Sequence, residues 1–486
     1  MSRVVVLGAG VSGHTAALHL RRLLGRGHEV VVVSPNSRWN WIPSNIWVGV
    51  GKMTSEQVTF PLAPIYERRG IHFHQAKAVA LLPEGDRDDP RGAVEIVSTA
   101  PHNGGTTQLL RYDYLVNATG PKLRFEATPG LGPDGNSVSV CSATHATQAA
   151  AALDAAIERM RAGQRQTLVV GMGHGTCTCE GAAFEYVFNV DHTLREAGVR
   201  ELAEVIYLTN EHELGDFGVG GMVLEHGGEA RTSEEWMAGL FAERDIRVIL
   251  GAHVTEVRPS EVAYETIAGE SGVQPFDFAM LLPPFGGAGL RAFDRLGTDI
   301  TERLFAPSGF MRVDAEYTSK PFEAWEAADW PSTYQSPEYA NLFAVGIAFA
   351  PPHAISRPYA TPDGTPVAPS PPRTGMPSGV QGRTVARTIA DRITSGNPQA
   401  PAHTASMAKM GAACIASIGT GLRSGAAAAI TMSPIVPDRS RFPETGRDQA
   451  ETFGEVGLAG HWMKRLLHTL FIYKAKARPG WWLIPE

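Results

Sequence analysis

Residues 4–13 read Val4-Val5-Val6-Leu7-Gly8-Ala9-Gly10-Val11-Ser12-Gly13, an apolar run that passes directly into a glycine-rich turn. A run apolar on both faces suits a strand buried in a parallel sheet. Glycines at this spacing allow a tight turn, close approach of the backbone to a pyrophosphate, and close packing of the next helix. That helix is expected around Thr15–Leu20, with its first amides and positive dipole facing the phosphate. Gly8, Gly10 and Gly13 are therefore candidate nucleotide-binding residues, and the expected class is α/β.

Working outward, His28–Pro35 reads as the second strand and carries Ser34 where an acidic residue usually binds the ribose. A serine hydroxyl still hydrogen-bonds a ribose, though less strongly than a carboxylate. This weakens a plain NAD reading and leaves a flavin reading open. Next comes Tyr112–Gly120, a strand ending in Ala118-Thr119-Gly120. It resembles the segment that passes the adenine half of FAD in flavoproteins with two dinucleotide domains. Asn341–Gly346 resembles the late strand that meets the ribityl chain in those proteins, with Ile347 in place of the usual Asp. All three pieces in this order predict FAD, with Thr119, Gly120 and Gly346 among its contacts.

A second apolar strand, Thr167–Val170, leads into Gly171-Met172-Gly173-His174-Gly175 and then Cys177 and Cys179. A second Rossmann unit would hold NAD(P)H at this place, but two thiols stand at the expected helix start. A helix N-terminus lowers a thiol pKa, so the loop reads as converted from nucleotide binding to sulfur chemistry.

A chain of 486 residues with net charge −7 predicts two or three domains. It argues against a nucleic-acid partner. No run of about twenty apolar residues suggests a bilayer-spanning helix. Met1-Ser2-Arg3 runs straight into the first strand, so a cytoplasmic location is expected. Four cysteines in that compartment read as reactive rather than structural. A Cys-x-Cys pair without a second pair is a poor zinc site, and no metal is expected.

Several motifs together resemble the sulfide:quinone oxidoreductases, relatives of the flavin subunit of flavocytochrome c sulfide dehydrogenase. They are Pro43–Gly51, Ala118–Leu123, Cys141 with His145, Cys179–Glu185, Pro372-Arg373-Thr374-Gly375, and Cys414 within Gly411–Cys414. The resemblance implies a fold of two Rossmann-like domains of the glutathione-reductase kind. It implies that Cys179 and Cys414 form the redox pair beside the flavin, bridged directly or through added sulfur. Cys141 would sit near the other flavin edge, and in some members it is thioether-linked to the cofactor. Glu185 and His145 would lie near this chemistry, His145 as a thiol-orienting group, a proton carrier, or a residue satisfied by its own helix. Arg373, Thr374 and Gly375 would meet the flavin.

Two departures stand out. Cys177 is an extra thiol, readable as a sulfur relay or as an inert neighbour. Asp216 falls where many members carry a His, and His212 reads as loop packing.

The C-terminal stretch places Trp462, Leu466, Leu470 and Tyr473 at helical spacing. Trp481 and Trp482 follow, amid Lys464, Arg465, Lys474, Lys476 and Arg478. Tryptophans beside cations suit the headgroup layer, so residues 461–486 are expected to hold a membrane surface from the cytoplasmic side as a monotopic segment. The FAD domain is expected over 1–120 and 330–395, and the second domain over 155–310. Residues 396–486 carry Cys414 and the anchor. Pro351–Pro372 is expected to be a loop, and Ser424–Ile430 a tightly packed turn or strand.

The predicted activity is oxidation of sulfide to sulfane sulfur or polysulfide with a membrane quinone as acceptor; a homo-oligomer is left open. Rival readings are a flavin subunit serving a cytochrome, a type II NADH:quinone oxidoreductase, and a sulfane-sulfur carrier without turnover.

Overall fold

The computed structural model describes residues 1–373, 375–419 and 425–486, with His226 described in its backbone alone. Six helices organise the site: α1 (Val11–Leu24), α2 (Ala63–Arg69), α3 (Ala143–Arg161), α4 (Glu180–Glu196), α5 (Met376–Ser395) and α6 (Leu458–Ala475).

The first lobe is built on one large sheet. Its order is Leu342–Ala344, Tyr114–Asn117, Arg3–Leu7, Glu29–Ser34, His72–Leu82, Ala93–Ser98 and Thr107–Arg111. The first five strands run parallel and the last two turn back antiparallel. Val4, Val5, Val6 and Leu7 are wholly buried at its centre, as their two-sided apolarity requires. The late strand Leu342–Ala344 thus closes the edge of the sheet beside Tyr114–Asn117, two places from the first strand. The second lobe centres on four parallel strands, in the order Ile246–Ile249, Ala203–Leu208, Gln166–Met172 and Phe278–Leu282.

The C-terminal region is not a separate appendage. Its strands Ala412–Ile418, Ala426–Met432 and Phe453–Gly457 pair in sequence, and the last of them joins the hairpin Val223–His226 and Glu229–Thr232 from the second lobe. The small-residue run thus forms a strand from Ala426 onward, while Ser424 lies outside the described residues. The opposite-strand pair Cys414 and Ile430 fixes the cysteine within a three-stranded meander.

Pro351–Pro372 is a loop, interrupted only by the two-residue strands Tyr359–Ala360 and Pro366–Val367. It is a strap across the second lobe. Ala368 donates to the Gly175 carbonyl at 2.8 Å and Ser370 to the Cys177 carbonyl at 2.8 Å. Thr178 Oγ1 donates back to Ser370 O at 2.8 Å.

Candidate active site

The first glycine loop is shaped by contact. A Cβ on Gly8 would stand 2.0 Å from Ala118 O, and one on Gly13 would stand 2.1 Å from Gly8 O. Gly8 also has φ +94°, a region costly for residues with a side chain. Gly10 faces open space at the cap of α1, where no side chain takes the free amides. Ser34 is buried at the end of its strand. Gly120 and Gly375 have positive φ and likewise face open space, and Gly375 caps α5 without a side-chain partner. Thr119 is held by Asn117 at 2.8 Å. Thr374 lies outside the described residues.

Arg373 is buried, donates to Ile347 O at 3.2 Å and also to Phe349 O. Its guanidinium lies 4.5 Å from the Phe310 ring centre. Burial brings its pKa down to about 10, against the pull of the Cys179 thiolate and Tyr317.

The second loop differs from its expected form. Helix α4 starts at Glu180, with Cys179 as its cap, and Cys177 lies in the preceding loop. Cys179 takes φ 76°, ψ 38°, a left-handed conformation that costs a residue with a Cβ about 1–3 kcal/mol. Cys177 is fully buried, and its thiol donates to Leu282 O at 3.1 Å. That contact favours the packing neighbour over a sulfur relay.

All four cysteines are free thiols. The lowered pKa expected from the helix N-terminus is not found; loss of hydration is the largest influence on these thiols. Burial, with added repulsion from Glu180 and Cys141, pushes Cys179 up to about 12, while Thr178 and Arg373 pull it down. Burial lifts Cys141 to about 11 and Cys414 to about 11. It also raises Cys177 well above the ordinary thiol range.

Two groups of thiols emerge. Cys177 and Cys179 each feel the charge of Cys141, and Cys179 also feels Arg373. Cys414 feels Lys464 and Glu185. The two groups meet at the first turn of α4, where a Cβ on Gly181 would stand 3.2 Å from Cys414 Sγ. Glu185, one turn further along α4, is buried. One of its oxygens accepts from Lys464 Nζ at 2.5 Å. The other accepts from Ser417 N at 3.1 Å and Ser417 Oγ at 2.6 Å. Trp47 Nε1 donates to the same serine hydroxyl at 2.8 Å, and Lys464 also donates to Ile415 O at 2.9 Å.

His145 is placed elsewhere. Its ring packs edge-on to Phe125 at 5.7 Å, and burial lowers its pKa against the pull of Asp134. No hydrogen bond from it reaches a cysteine among the described residues. His212 packs on Tyr359 at 4.3 Å, the loop-packing role expected of it.

Sequence reasoning missed a buried carboxyl cluster beside Cys179. Glu180 is completely buried, with neither carboxyl oxygen hydrogen-bonded, and burial together with Glu211 raises its pKa far above the carboxylate range. Glu211 accepts from Phe217 N at 2.9 Å and Thr209 Oγ1 at 2.8 Å, and burial lifts it to about 7. Asp216 is raised by burial too, and Ser356 donates to it. Burial thus drives Glu180 strongly toward its protonated form, next to a thiol. Three acids within Glu211–Asp216 were the only signal, and such a run usually reads as a solvated loop.

The sequence profile of the pyridine nucleotide-disulphide oxidoreductases matches residues 2–303. The chain belongs to that family. Within it, the chain is 27% identical over 473 residues to the Sulfide-quinone reductase of Aquifex aeolicus, covering 97% of this chain and 91% of that one. It is 23% identical over 350 residues to the mitochondrial Sulfide:quinone oxidoreductase of Mus musculus, covering 71% and 64%. The X-ray structure of the A. aeolicus sulfide:quinone oxidoreductase superposes with a TM-score of 0.74 at 26% identity, covering 98% and 92%. A Plasmodium falciparum NDH2 structure in complex with NADH superposes with a TM-score of 0.63 at 11% identity, covering 99% and 97%, a likeness of fold alone.

Membership in the pyridine nucleotide-disulphide oxidoreductase family implies FAD, and the residues fit it. A Cβ at Gly10, Gly120 or Gly375 would meet nothing within 4 Å. Two buried donors, Arg373 Nε and Gln381 Nε2, lack partners. Gln381 is a further residue the sequence did not single out; its oxygen accepts from Gly346 N at 2.8 Å, which leaves its amide free for a ligand acceptor.

Proposed function

We propose that the chain oxidises sulfide to sulfane sulfur through Cys179 and Cys414 and passes the two electrons by way of FAD to a membrane quinone. The observation that carries this reading is the seating of Cys414 on the first turn of the helix that Cys179 caps. The names of the A. aeolicus and mouse relatives support the substrate and the acceptor.

The cycle begins from the oxidised pair. HS⁻ attacks one sulfur of the Cys179–Cys414 bridge, so a new sulfur–sulfur bond forms as the bridge breaks. The other cysteine leaves as a thiolate carrying the electron pair. FAD, when bound, would take up two electrons as that thiolate and the new persulfide, losing its proton, close a bridge longer by one sulfur, and would hand them to quinone. Gly8, Gly10, Gly13, Ser34, Thr119 and Gly120 would hold its adenosine and pyrophosphate. Gly346, Arg373, Gly375 and Gln381 would hold its flavin end.

The protein's part is charge and proton placement. Arg373, a fixed cation that feels the Cys179 charge, favours that sulfur as a thiolate. Glu180, buried and adjacent, is driven toward its protonated form, which spares a Cys179 thiolate a second buried negative charge. Glu185, anchored by Lys464 and Ser417, orders the surroundings of Cys414.

The strap disfavours an NADH donor. A Cβ on Gly175 would stand 2.6 Å from Pro366 O, so strap backbone lies where a dinucleotide would approach the loop. The outer face of α6 and the turn beyond it support a bilayer acceptor over a cytochrome: Trp462, Met463 and Leu466 on the helix are all half exposed or more, and Leu483 in the turn is 77% exposed. No helix among the described residues is long and apolar enough to cross a membrane. We therefore place the chain on a membrane surface, with this stripe in the headgroup layer.

The test is an anaerobic sulfide titration of the purified flavoprotein, read by flavin absorbance, followed by a short-chain quinone. Wild type should bleach and then recover, while Cys179→Ser and Cys414→Ser should stay oxidised. Bleaching of both variants at the wild-type rate would remove the pair from the mechanism.

A further inference from the structure

The cationic tail does not meet the headgroup layer in the way its sequence suggests. Lys464 is turned inward onto Glu185. Lys474 is buried on Glu486 at 2.8 Å and on the carbonyls of Ile484 and Pro485. Trp481 is buried against His19, with ring centres 4.8 Å apart. The positive charge near Trp482 is instead gathered from other parts of the chain. A cleft of about 370 Å³ is lined by Arg21, Arg22 and Arg26 from the end of α1, Arg68 and Arg69 from the end of α2, and Trp481 and Trp482.

Two of these arginines have structural duties. Arg21 donates to the Gly25 and His28 carbonyls, and Arg69 donates to the Ala477 carbonyl. Such contacts also satisfy helix C-termini, and they account for those two side chains alone. Arg22, Arg26 and Arg68 are exposed, and no ion pair or hydrogen bond holds any of them among the described residues. Arg22 lies over the Trp482 ring at 5.0 Å.

Among the described residues no acidic side chain lines the cleft. Glu29, the acid felt at Arg21, is engaged by Arg3 at 2.5 Å. Arg21 supplies an independent sign of a missing partner: the residue is buried, and its Nε has no acceptor. Five guanidinium groups around one cleft repel one another unless an anion sits among them. Planar forks of this kind suit phosphate oxygens.

The rim indicates what carries the phosphate. Trp482 is 39% exposed, Leu483 beside it is 77% exposed, and Leu23 on α1 is 39% exposed. Apolar groups flanking a basic cleft match a headgroup with acyl chains attached, and a free anion would leave them in water.

We propose that this cleft binds the phosphate of an anionic phospholipid headgroup, with the acyl chains leaving over Trp482 and Leu483. The proposal deepens the membrane-surface reading above and rests on it.

The test uses the full-length flavoprotein, a cleft variant Arg22→Gln/Arg26→Gln/Arg68→Gln, and a control variant Lys77→Gln/Arg87→Gln/Arg165→Gln with charges removed outside the cleft. Sedimentation with phosphatidylglycerol-containing vesicles should show the cleft variant losing on the order of a hundredfold in affinity, from about 1 kcal/mol per cation. The control variant should bind as wild type does. In thermal melts, monomeric dihexanoylphosphatidylglycerol should stabilise wild type but not the cleft variant, and inorganic phosphate should do far less.

Equal stabilisation by inorganic phosphate would make this a small-anion site and overturn the lipid assignment. Equal loss in the control variant, or an unchanged lipid shift in the cleft variant, would overturn the site. Wild type binding pure phosphatidylcholine vesicles equally well would overturn the headgroup site and leave the membrane reading standing. Binding to neither kind of vesicle would remove both.

Discussion

A Cβ on Gly181 would stand 3.2 Å from the Cys414 sulfur, closer than ordinary van der Waals contact. The sulfur would have to give by a few tenths of an ångström for alanine, and by more for a branched side chain. Gly181→Ala should therefore fold normally and slow flavin bleaching by sulfide several-fold. Gly181→Val should slow it on the order of a hundredfold, the cost of misplacing a reacting atom by about 1 Å. Stopped-flow reduction at fixed sulfide checks both, and an unchanged rate in the valine variant would separate Cys414 from the chemistry. The glycine was visible in the sequence, within Cys179–Glu185, but its reason was not. Its partner lies 233 residues away on another strand, and only the fold sets that spacing. The same limit hid Glu180, whose buried carboxyl feels the charges of Glu211 and Asp216 from another part of the chain.

At the scale of elements, local patterns were legible and long-range orientation was not. The strand at Arg3–Leu7, the glycine turn and α1 are encoded within two dozen residues, and Pro351–Pro372 reads as a loop from composition. What the loop covers could not be read, since its contacts run from Ala368 and Ser370 to Gly175 and Cys177. Because strap backbone fills the second glycine loop, NADH in excess should leave the flavin oxidised under anaerobic conditions in which sulfide bleaches it. Bleaching by NADH would mean that the strap opens. Helix α6 teaches the same lesson, since its period was evident in the sequence but the inward turn of Lys464 was not. Removing that cation leaves Glu185 buried without its ion partner, a loss typically of about 3–5 kcal/mol. Lys464→Gln should lower the unfolding free energy by that order, read from urea melts. It should also slow sulfide reduction, because Cys414 loses the cation that pulls its pKa down. Lys464→Arg should restore part of the stability.

The molecule as a whole is closed by contacts between its first helix and its last. His14 on α1 meets the Tyr66 hydroxyl at 2.8 Å through Nδ1 and the Ala475 carbonyl at 2.7 Å through Nε2. Since a carbonyl only accepts, Nε2 carries the proton and Nδ1 accepts from the tyrosine. His19, five residues on, meets Glu486 at 2.9 Å, so α1 holds both the end of α6 and the segment beyond it. Burial brings the His14 pKa from 6.5 down to about 4, which makes this closure sensitive to acid. The unfolded chain binds the proton more readily than the fold does. The stability this group contributes is therefore complete above pH 6.5 and is lost as pH falls from there toward 4. The slope is about 1.4 kcal/mol per pH unit. Between pH 6.5 and pH 5 the loss from this one group is about 1.6 kcal/mol. Urea unfolding at the two pH values should show that loss in wild type. It should shrink by the same amount in His14→Gln, whose amide offers the same donor and acceptor without titrating. Equal pH dependence in the two proteins would place the acid sensitivity elsewhere. Since His14 grips the end of α6, acid should also release the amphipathic helix before the lobes unfold. Proteolysis near Ala475 that accelerates at pH 5 in wild type, and not in His14→Gln, is the expected signature.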